Sequence, residues 1–418
     1  MQDKTLEKAK AVLVGIAERG SEVEECERSL DELERLLDTA GGECFAKILQ
    51  VKESYDPRTC IGSGKVKELS EICENNDVVL VVFDFELSPS QICNLESDLG
   101  GDVTVLDRSM LILDIFALHA VTGEGKLQVE LAQLKYSAPR LVGHGTELSR
   151  QGGGIGSRGP GESKLETDRR HLKERVTTLE RRLDELEHNR LVMRAKRDRS
   201  GVFKVAIVGY TNAGKSTLLN YLTNAGILSE DKLFATLDPT TRKLELPSGE
   251  SILLTDTVGF IRKLPHHLVK AFKSTLDEVK YADLLLLVSD INDPECEEHI
   301  AVTKEVISDL DASDKPIIYV YNKCDLAENG RAGIIDRDSV AISAATGSGI
   351  DALLSMIEEV MERTQRTVTF EIPYNEQSIV NSLYSKYTVI SVEYLDSCVE
   401  VKAKLDAKGL GKYSRYVI

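Results

Sequence analysis

Nothing in the chain pairs its cysteines. Eight of them, Cys26, Cys44, Cys60, Cys73, Cys93, Cys296, Cys324 and Cys398, are scattered over 418 residues without a C-x-x-C pair. That pattern suggests neither a zinc site nor a disulfide framework, and it fits a reducing, cytoplasmic setting. No apolar run approaches the roughly 20 residues of a membrane span, and the polar start MQDKTLEKAK does not read as a signal peptide. A surplus of positive charge is missing too. With 52 Lys and Arg against 69 Asp and Glu the formal charge is -17, which argues against nucleic-acid binding by the chain as a whole. What remains is ordinary for a soluble globular protein, 42% hydrophobic and 29% charged. The length gives room for about two to four domains.

One string departs from this ordinary background. Gly209, Tyr210, Thr211, Asn212, Ala213, Gly214, Lys215 and Ser216 read GYTNAGKS, a phosphate-binding loop of the G-x-x-x-x-G-K-[ST] type. It follows the apolar run 203–208 and opens onto a helix-compatible stretch, 215–224, the strand, loop and helix that the motif requires. Backbone N–H groups there can cradle phosphates. Lys215 is expected to reach the β- and γ-phosphates, and the Ser216 hydroxyl to sit on Mg²⁺.

Such a loop does not choose between ATP and GTP. The choice falls to Asn322, Lys323, Cys324 and Asp325, which end the apolar run 316–321 and so emerge at the carboxyl end of a parallel strand. The Asp325 carboxylate can accept from both N1–H and N2–H of guanine, and adenine offers neither donor. A third string, Asp256, Thr257, Val258 and Gly259, follows the run 251–255. There Asp256 is expected to orient Mg²⁺ through a water and Gly259 to give its N–H to the γ-phosphate, so that losing the phosphate frees the loop. Between the two lie Phe234, Ala235, Thr236, Leu237 and Asp238. Thr236 is the choice for the threonine closing over Mg²⁺ and γ-phosphate, with Thr240 and Thr241 as rivals. Ser343, Ala344 and Ala345 end a short apolar strand, 340–342, where backbone N–H groups can meet the guanine oxygen.

Position 260 is Phe, where many GTPases carry a glutamine that orients the attacking water. Hydrolysis is therefore expected to be slow unaided, or to use another group, a bound cation or a partner. Lys215 and Asp256 are expected to supply electrostatic stabilisation, with no convincing general base. The Asn212 carboxamide offers a place for a monovalent cation such as K⁺, although a loop asparagine is also simply tolerant of turn geometry.

The average charge hides an asymmetry: residues 140–199 carry a net of +5, and the rest of the chain -22. A locally basic segment in an acidic chain is either a footprint for RNA or a solvated helix of mixed charge. Strand-like runs at 11–16, 44–51, 78–83 and 103–106 alternate with helical patterns at 29–40, 66–75 and 88–99, which implies a parallel sheet with crossover helices. The G-S-G-K at 62–65 is expected to be a strand–helix turn. A helical stretch is expected over 109–134, interrupted near Gly123 and Gly125. The segment 151–162, QGGGIGSRGPGE, has six glycines in the eleven residues after Gln151 and reads as a loop. After it, Leu172, Val176, Leu179, Leu183, Leu186, Arg190 and Met193 fall on heptad steps, so 163–197 is expected to form one arm of a helical hairpin. The last helix of the nucleotide-binding domain is expected over 350–363, and 367–418 reads as a small α+β domain with one helical segment.

The fold class expected is thus α/β and multidomain: an N-terminal parallel α/β domain (1–107), a helical hairpin with a Gly-rich loop (108–200), a P-loop GTPase G domain (201–366) and a small α+β C-terminal domain (367–418). Three strings, GEGKLQVELAQLKYSAPRLVG at 123–143, GGGIGSRGPGESKLETDRR at 152–170 and FATLDPTTR at 234–242, resemble the HflX family of translation-associated GTPases. The resemblance covers the N-terminal domain, the hairpin and the G domain. It implies GTP and GDP binding by the residues named above, Mg²⁺ held by Ser216 and Thr236, and association with the large (50S) ribosomal subunit. Some members split ribosomes under stress, and the resemblance implies splitting or rescue here, with the partner rRNA met by residues 108–200 of a monomer. Two other readings stay open, an RNA-modification-associated GTPase and a nucleotide-sensing regulator of a protein partner.

Overall fold

Four short apolar runs of the N-terminal region pair into one sheet: β1 (Lys10–Ala17), β2 (Glu43–Val51), β3 (Leu80–Phe83) and β4 (Thr104–Asp107). The computed structural model describes residues 9–141, 160–198, 202–223, 233–234, 239–263, 273–327, 332–364, 366–405 and 407–418. The sheet order is β2-β1-β3-β4, every pair parallel, so each connection needs a crossover helix. These are α1 (Val23–Thr39), α2 (Ser63–Asn76) and α3 (Pro89–Asp98). The G-S-G-K turn is where α2 begins, with Gly62 as its N-cap. Helix α3 opens on a capping box between Ser88 and Gln91 with Pro89 in its first turn. Helix α1 starts six residues earlier than its apolar periodicity predicts, because buried Cys26 extends the stripe of Leu30, Leu33 and Leu37 and packs as a small hydrophobe.

Contacts divide the chain into two units. The first comprises Met1–Asp184 with Asp231–Leu237 and Arg262–Phe272, and within it the expected helix over 109–134 is two, α4 (Arg108–His119) and α5 (Gly123–Leu141). The break falls before the glycines, at Ala120, whose ψ is 107°. Thr122 Oγ1 then accepts from Gly125 N at 2.9 Å, so both glycines sit in a capped first turn. Helix α6 (Pro160–Asp198) takes in the last three residues of the expected loop. Proline suits a first helical position, while 142–159 lie outside the described residues. Leu172, Val176, Leu183, Leu186 and Arg190 are half-buried and Leu179 is buried, with exposed residues between them, as a heptad seam requires; the Met193 side chain is outside the described set. Ion pairs Arg175–Glu130 at 2.6 Å and Lys135–Glu180 at 2.8 Å identify α5 as the facing helix.

The second unit comprises Glu185–Glu230, Asp238–Ile261 and Lys273–Ile418. Its larger sheet contains β5 (Phe203–Gly209), β6 (Thr240–Glu245), β7 (Ser251–Asp256), β8 (Leu284–Asp290), β9 (Ile317–Asn322), β10 (Gly333–Asp336) and β11 (Ser339–Ala341). The order is β10-β11-β9-β8-β5-β7-β6. Only the edge strands β6 and β10 are antiparallel to their neighbours. Strand β8 is buried from Leu284 to Ser289, as expected where helices cover both faces of a parallel sheet. The associated helices are α7 (Lys215–Thr223), α8 (Lys273–Lys280), α9 (Cys296–Asp309) and α10 (Ile350–Thr364).

A separate antiparallel sheet, order β12-β14-β13, is made by β12 (Arg366–Pro373), β13 (Thr388–Tyr394) and β14 (Cys398–Leu405), around a core of Phe370, Leu383, Val399 and Val401. It carries two α-helices rather than one, α11 (Gln377–Lys386) and α12 (Ala407–Tyr413). The second reads AKGLGKY, and its two glycines conceal it from a propensity argument.

In the first unit the carboxyl ends of β3 and β4 meet a buried charge cluster. The Arg108 guanidinium is 2% exposed and pairs with Asp84 at 2.7 Å and Glu32 at 2.8 Å. Asp84 also accepts from Ser29 Oγ at 2.6 Å and from Lys263 Nζ at 2.7 Å, and Arg108 donates to Arg262 O at 3.1 Å. Two carboxylates can be buried here only because these cations remain beside them. Arg108→Met is expected to destabilise the chain by about 3–5 kcal/mol, the cost of leaving buried charge uncompensated. Urea unfolding checks this, and a midpoint equal to that of the parent would contradict it.

Candidate nucleotide-binding site

The phosphate loop owes its shape to close packing. Gly209, at the end of β5, has φ +147° and a Cβ there would lie 2.1 Å from Val288 O. Gly214 has φ +92°, and its Cβ would lie 2.2 Å from Asn322 Nδ2. Neither position admits a side chain without displacing its neighbour. Asn212 adopts φ 61°, a left-handed conformation that asparagine tolerates better than most residues. Lys215 opens α7, is buried, and donates to Tyr210 O at 2.7 Å. Burial pushes its ammonium down to about 8, with Asp256 pulling it back up. A desolvated cation of this kind gains most from an arriving phosphate. The Thr211 hydroxyl is also buried and has no hydrogen-bond partner among the described residues.

Ser216 Oγ donates to Asp256 Oδ2 at 2.6 Å, joining the first turn of α7 to the end of β7. The Ser216 hydroxyl is a hard oxygen donor beside the phosphate loop that would suit Mg²⁺, and the Asp256 carboxylate next to it would orient the ion through a water. Thr257 is buried and donates to Ile207 O at 2.7 Å, while Val258 is buried. A Cβ on Gly259 would lie 2.7 Å from Thr211 Cγ2 and 2.9 Å from Lys215 Nζ, so Gly259 abuts the phosphate loop. Phe260 N donates to Gly209 O at 3.1 Å, and Thr211 N to Phe260 O at 2.8 Å. The Phe260 ring is 1% exposed. An apolar ring in the core cannot orient water.

At the other end Asn322 is buried. Its Nδ2 donates to Ala213 O at 2.8 Å, and its Oδ1 accepts from Ala344 N at 2.9 Å. One side chain thus holds the phosphate loop and the segment Ser343, Ala344 and Ala345 together. Ser343 is buried, accepting from Thr346 N through Oγ at 3.1 Å. Lys323 has φ 63° and begins a short turn, Cys324–Leu326, which leaves Cys324 buried and Asp325 exposed.

The structure brings together the phosphate loop, Asp256 to Gly259, Asn322 to Asp325 and Ser343 to Ala345 within one unit. Phe234 belongs to the other unit, where its ring meets Phe116 edge to face at 4.8 Å. Ala235, Thr236, Leu237 and Asp238 lie outside the described residues. The rivals of Thr236 are ladder residues: Thr240 pairs with Asp256 across β6 and β7, and the Thr241 and Thr255 hydroxyls are 2.9 Å apart. Three residues around the site escaped sequence reasoning. His299 stacks on Tyr210 at 3.7 Å, Asp290 pairs with Lys323 at 2.8 Å, and Asn292 donates to Lys323 O at 2.9 Å. The signal for the last two was available, since Asp290 ends the apolar run of β8.

The family model described as GTP-binding GTPase N-terminal matches residues 27–117, GTP-binding GTPase Middle Region matches 119–197, and 50S ribosome-binding GTPase matches 204–323. A protein named GTPase HflX from Caldanaerobacter subterraneus subsp. tengcongensis is 49% identical over 418 residues, covering 100% of this chain and 96% of that one. The chain belongs to the HflX GTPase family. The Escherichia coli K12 GTPase HflX is 44% identical over 361 residues, covering 85% of this chain and 84% of that one. A GTP-binding protein of Sulfolobus solfataricus, solved with GDP, is 25% identical with a TM-score of 0.44, covering 84% of this chain and 98% of that one, too loose a likeness to bear on domain arrangement. As a member of the HflX family the chain is a GTP-hydrolysing enzyme, and no helix among its described residues is long and apolar enough to cross a membrane.

Gly214→Ala tests the cradle. The added methyl meets the carboxamide that holds two loops, at a backbone conformation strained for alanine. Affinity for a fluorescent GDP analogue is expected to fall on the order of 100-fold, and parental affinity would refute the packing argument.

Proposed function

We propose that the chain is a Mg²⁺-dependent GTP switch that binds the large ribosomal subunit and, in its GTP state, splits or rescues ribosomes under stress, working as a cytoplasmic monomer. The observation that carries this reading is the buried Phe260 beside a complete phosphate loop. Hydrolysis at such a site needs a group from elsewhere to order the water. What supports the ribosome as the source is the family description 50S ribosome-binding GTPase, matched over 204–323.

The basic segment supplies the contact chemistry. Residues 140–199 carry +5 in a chain of -17, and Arg169, Arg170, Lys173 and Arg182 are exposed on α6, where RNA phosphates can meet them. In this reading 1–107 is the N-terminal α/β domain, 108–200 faces rRNA, 201–366 holds the nucleotide, and 367–418 is a separate small domain. The base is read by Asp325, with Asn322 and Ser343 to Ala345 shaping its pocket. The phosphates lie along Gly209 to Ser216 with Lys215 as their cation. Ser216 and Thr236 hold Mg²⁺, which neutralises phosphate charge when bound. A K⁺ beside Asn212 belongs to the same scheme. The loop at Gly259 orders around GTP and relaxes after hydrolysis.

Pelleting of the full chain with purified large subunits tests this. Binding is expected in a non-hydrolysable GTP analogue, weaker binding in GDP, and a fall of about tenfold or more between 50 and 200 mM salt. Binding that ignored the nucleotide, or its absence in both, would contradict the proposal.

A further inference from the structure

Strands β8 and β9 run side by side with Asp290 in register with Asn322, and the chain beyond each end does something unusual. After β9, Lys323 turns into the left-handed region, φ 63° and ψ 30°, a conformation that residues with a Cβ disfavour. That turn decides where the next residues point. Cys324 N is fixed to Ile342 O at 3.1 Å and Leu326 N to Lys323 O at 3.0 Å, with Asp325 between them. The Asp325 side chain is exposed and takes no hydrogen bond from the described residues. Its direction is therefore set by the backbone turn alone.

After β8, Asp290 and Asn292 close onto that same turn. Asp290 Oδ1 accepts from Asn292 N at 3.0 Å and from Asn292 Nδ2 at 3.2 Å. Asn292 Nδ2 also donates to Lys323 O at 2.9 Å, so both protons of the amide are used. Asp290 Oδ2 pairs with Lys323 Nζ at 2.8 Å, both side chains about one quarter exposed (23% and 27%). Ile291 N completes the tie by donating to Asn322 O at 3.0 Å. The left-handed residue is thus held at its carbonyl and at its ammonium by two side chains from the neighbouring strand end.

We propose that Asp290 and Asn292 are positioning residues for guanine specificity: they hold Lys323 in its left-handed turn and so aim the Asp325 carboxylate. The inference rests on the assignment of Asp325 as the guanine acceptor. A carboxylate that takes two parallel N–H bonds tolerates little rotation, and a loosened turn loses the second bond first. The group at stake is the 2-amino group of the base. Guanine carries it and hypoxanthine does not, so the ratio of GDP to IDP affinity reports the aim of Asp325, separately from anything that happens at the phosphates.

The experiment measures dissociation constants for GDP and IDP with the full-length parent, Asn292→Ala, Asp325→Asn and the double variant, together with kcat at saturating GTP. Asn292 is exposed, so its truncation leaves the core intact. Asn292→Ala is expected to weaken GDP about fivefold to tenfold, the scale of one lost hydrogen bond, and IDP less, narrowing the ratio while kcat stays within about twofold. In the Asp325→Asn background the same truncation is expected to change nothing further, because its effect runs through Asp325. An unchanged ratio in Asn292→Ala, with Asp325→Asn altering it, overturns the positioning role and spares the base assignment. A ratio that Asp325→Asn leaves unchanged overturns the base assignment and this inference with it.

Discussion

The nucleotide site hangs on the buried carboxamide of Asn322. It donates to the phosphate loop at Ala213 O and accepts from Ala344 N on the other side, so one residue at the end of β9 spaces the phosphate end from the base end. Both bonds lie in the interior, where losing a partner exposes the full cost of an unsatisfied amide or carbonyl. The same side chain explains why Gly214 has no room for a Cβ. A parallel register makes this possible. Strands β5, β7, β8, β9 and β11 share one direction, so their carboxyl ends open on the same edge, where ligands gather in open α/β sheets.

Much of this was legible in the chain because the motifs combine a residue pattern with an apolar run before it. GYTNAGKS after 203–208 and N-K-C-D after 316–321 state both the turn and its strand. The four-strand parallel sheet followed from alternation, and the heptad seam of α6 from spacing alone. Other features resisted for definite reasons. The start of α1 depends on Cys26 behaving as an apolar residue, and the break between α4 and α5 depends on Thr122 capping a turn that begins with glycine. Helix α12 is carried by packing around Tyr413, against the propensity of its glycines. His299 was hidden because its partner Tyr210 is distant in sequence and is met only by packing of a helix against the phosphate loop, whereas Asp290 at the end of β8 was within reach of the same strand-end argument that singled out Asn322. The Phe234 ring packs on Phe116, a contact no local pattern announces.

The residues divide into a part that binds and a part that is missing. Lys215, desolvated and folded onto its own loop, and the Ser216–Asp256 pair form the corner to which the proposed scheme assigns phosphate and Mg²⁺. Gly259 abuts the loop so closely that only glycine fits there. The side chain that follows is turned into the core. Phosphate-facing groups are thus present among the described residues, whereas water activation has no side chain at position 260 to perform it. In the proposed scheme the basic segment 140–199, net +5 in a chain of -17, is the surface offered to an RNA partner.

In the proposed scheme this GTPase waits for its partner. Single-turnover hydrolysis of bound GTP, timed for the full chain alone and with saturating purified large ribosomal subunits, tests it most directly. Acceleration on the order of 1,000-fold or more is expected, the range that a supplied catalytic group gives other GTPases. Equal rates with and without subunits would contradict it.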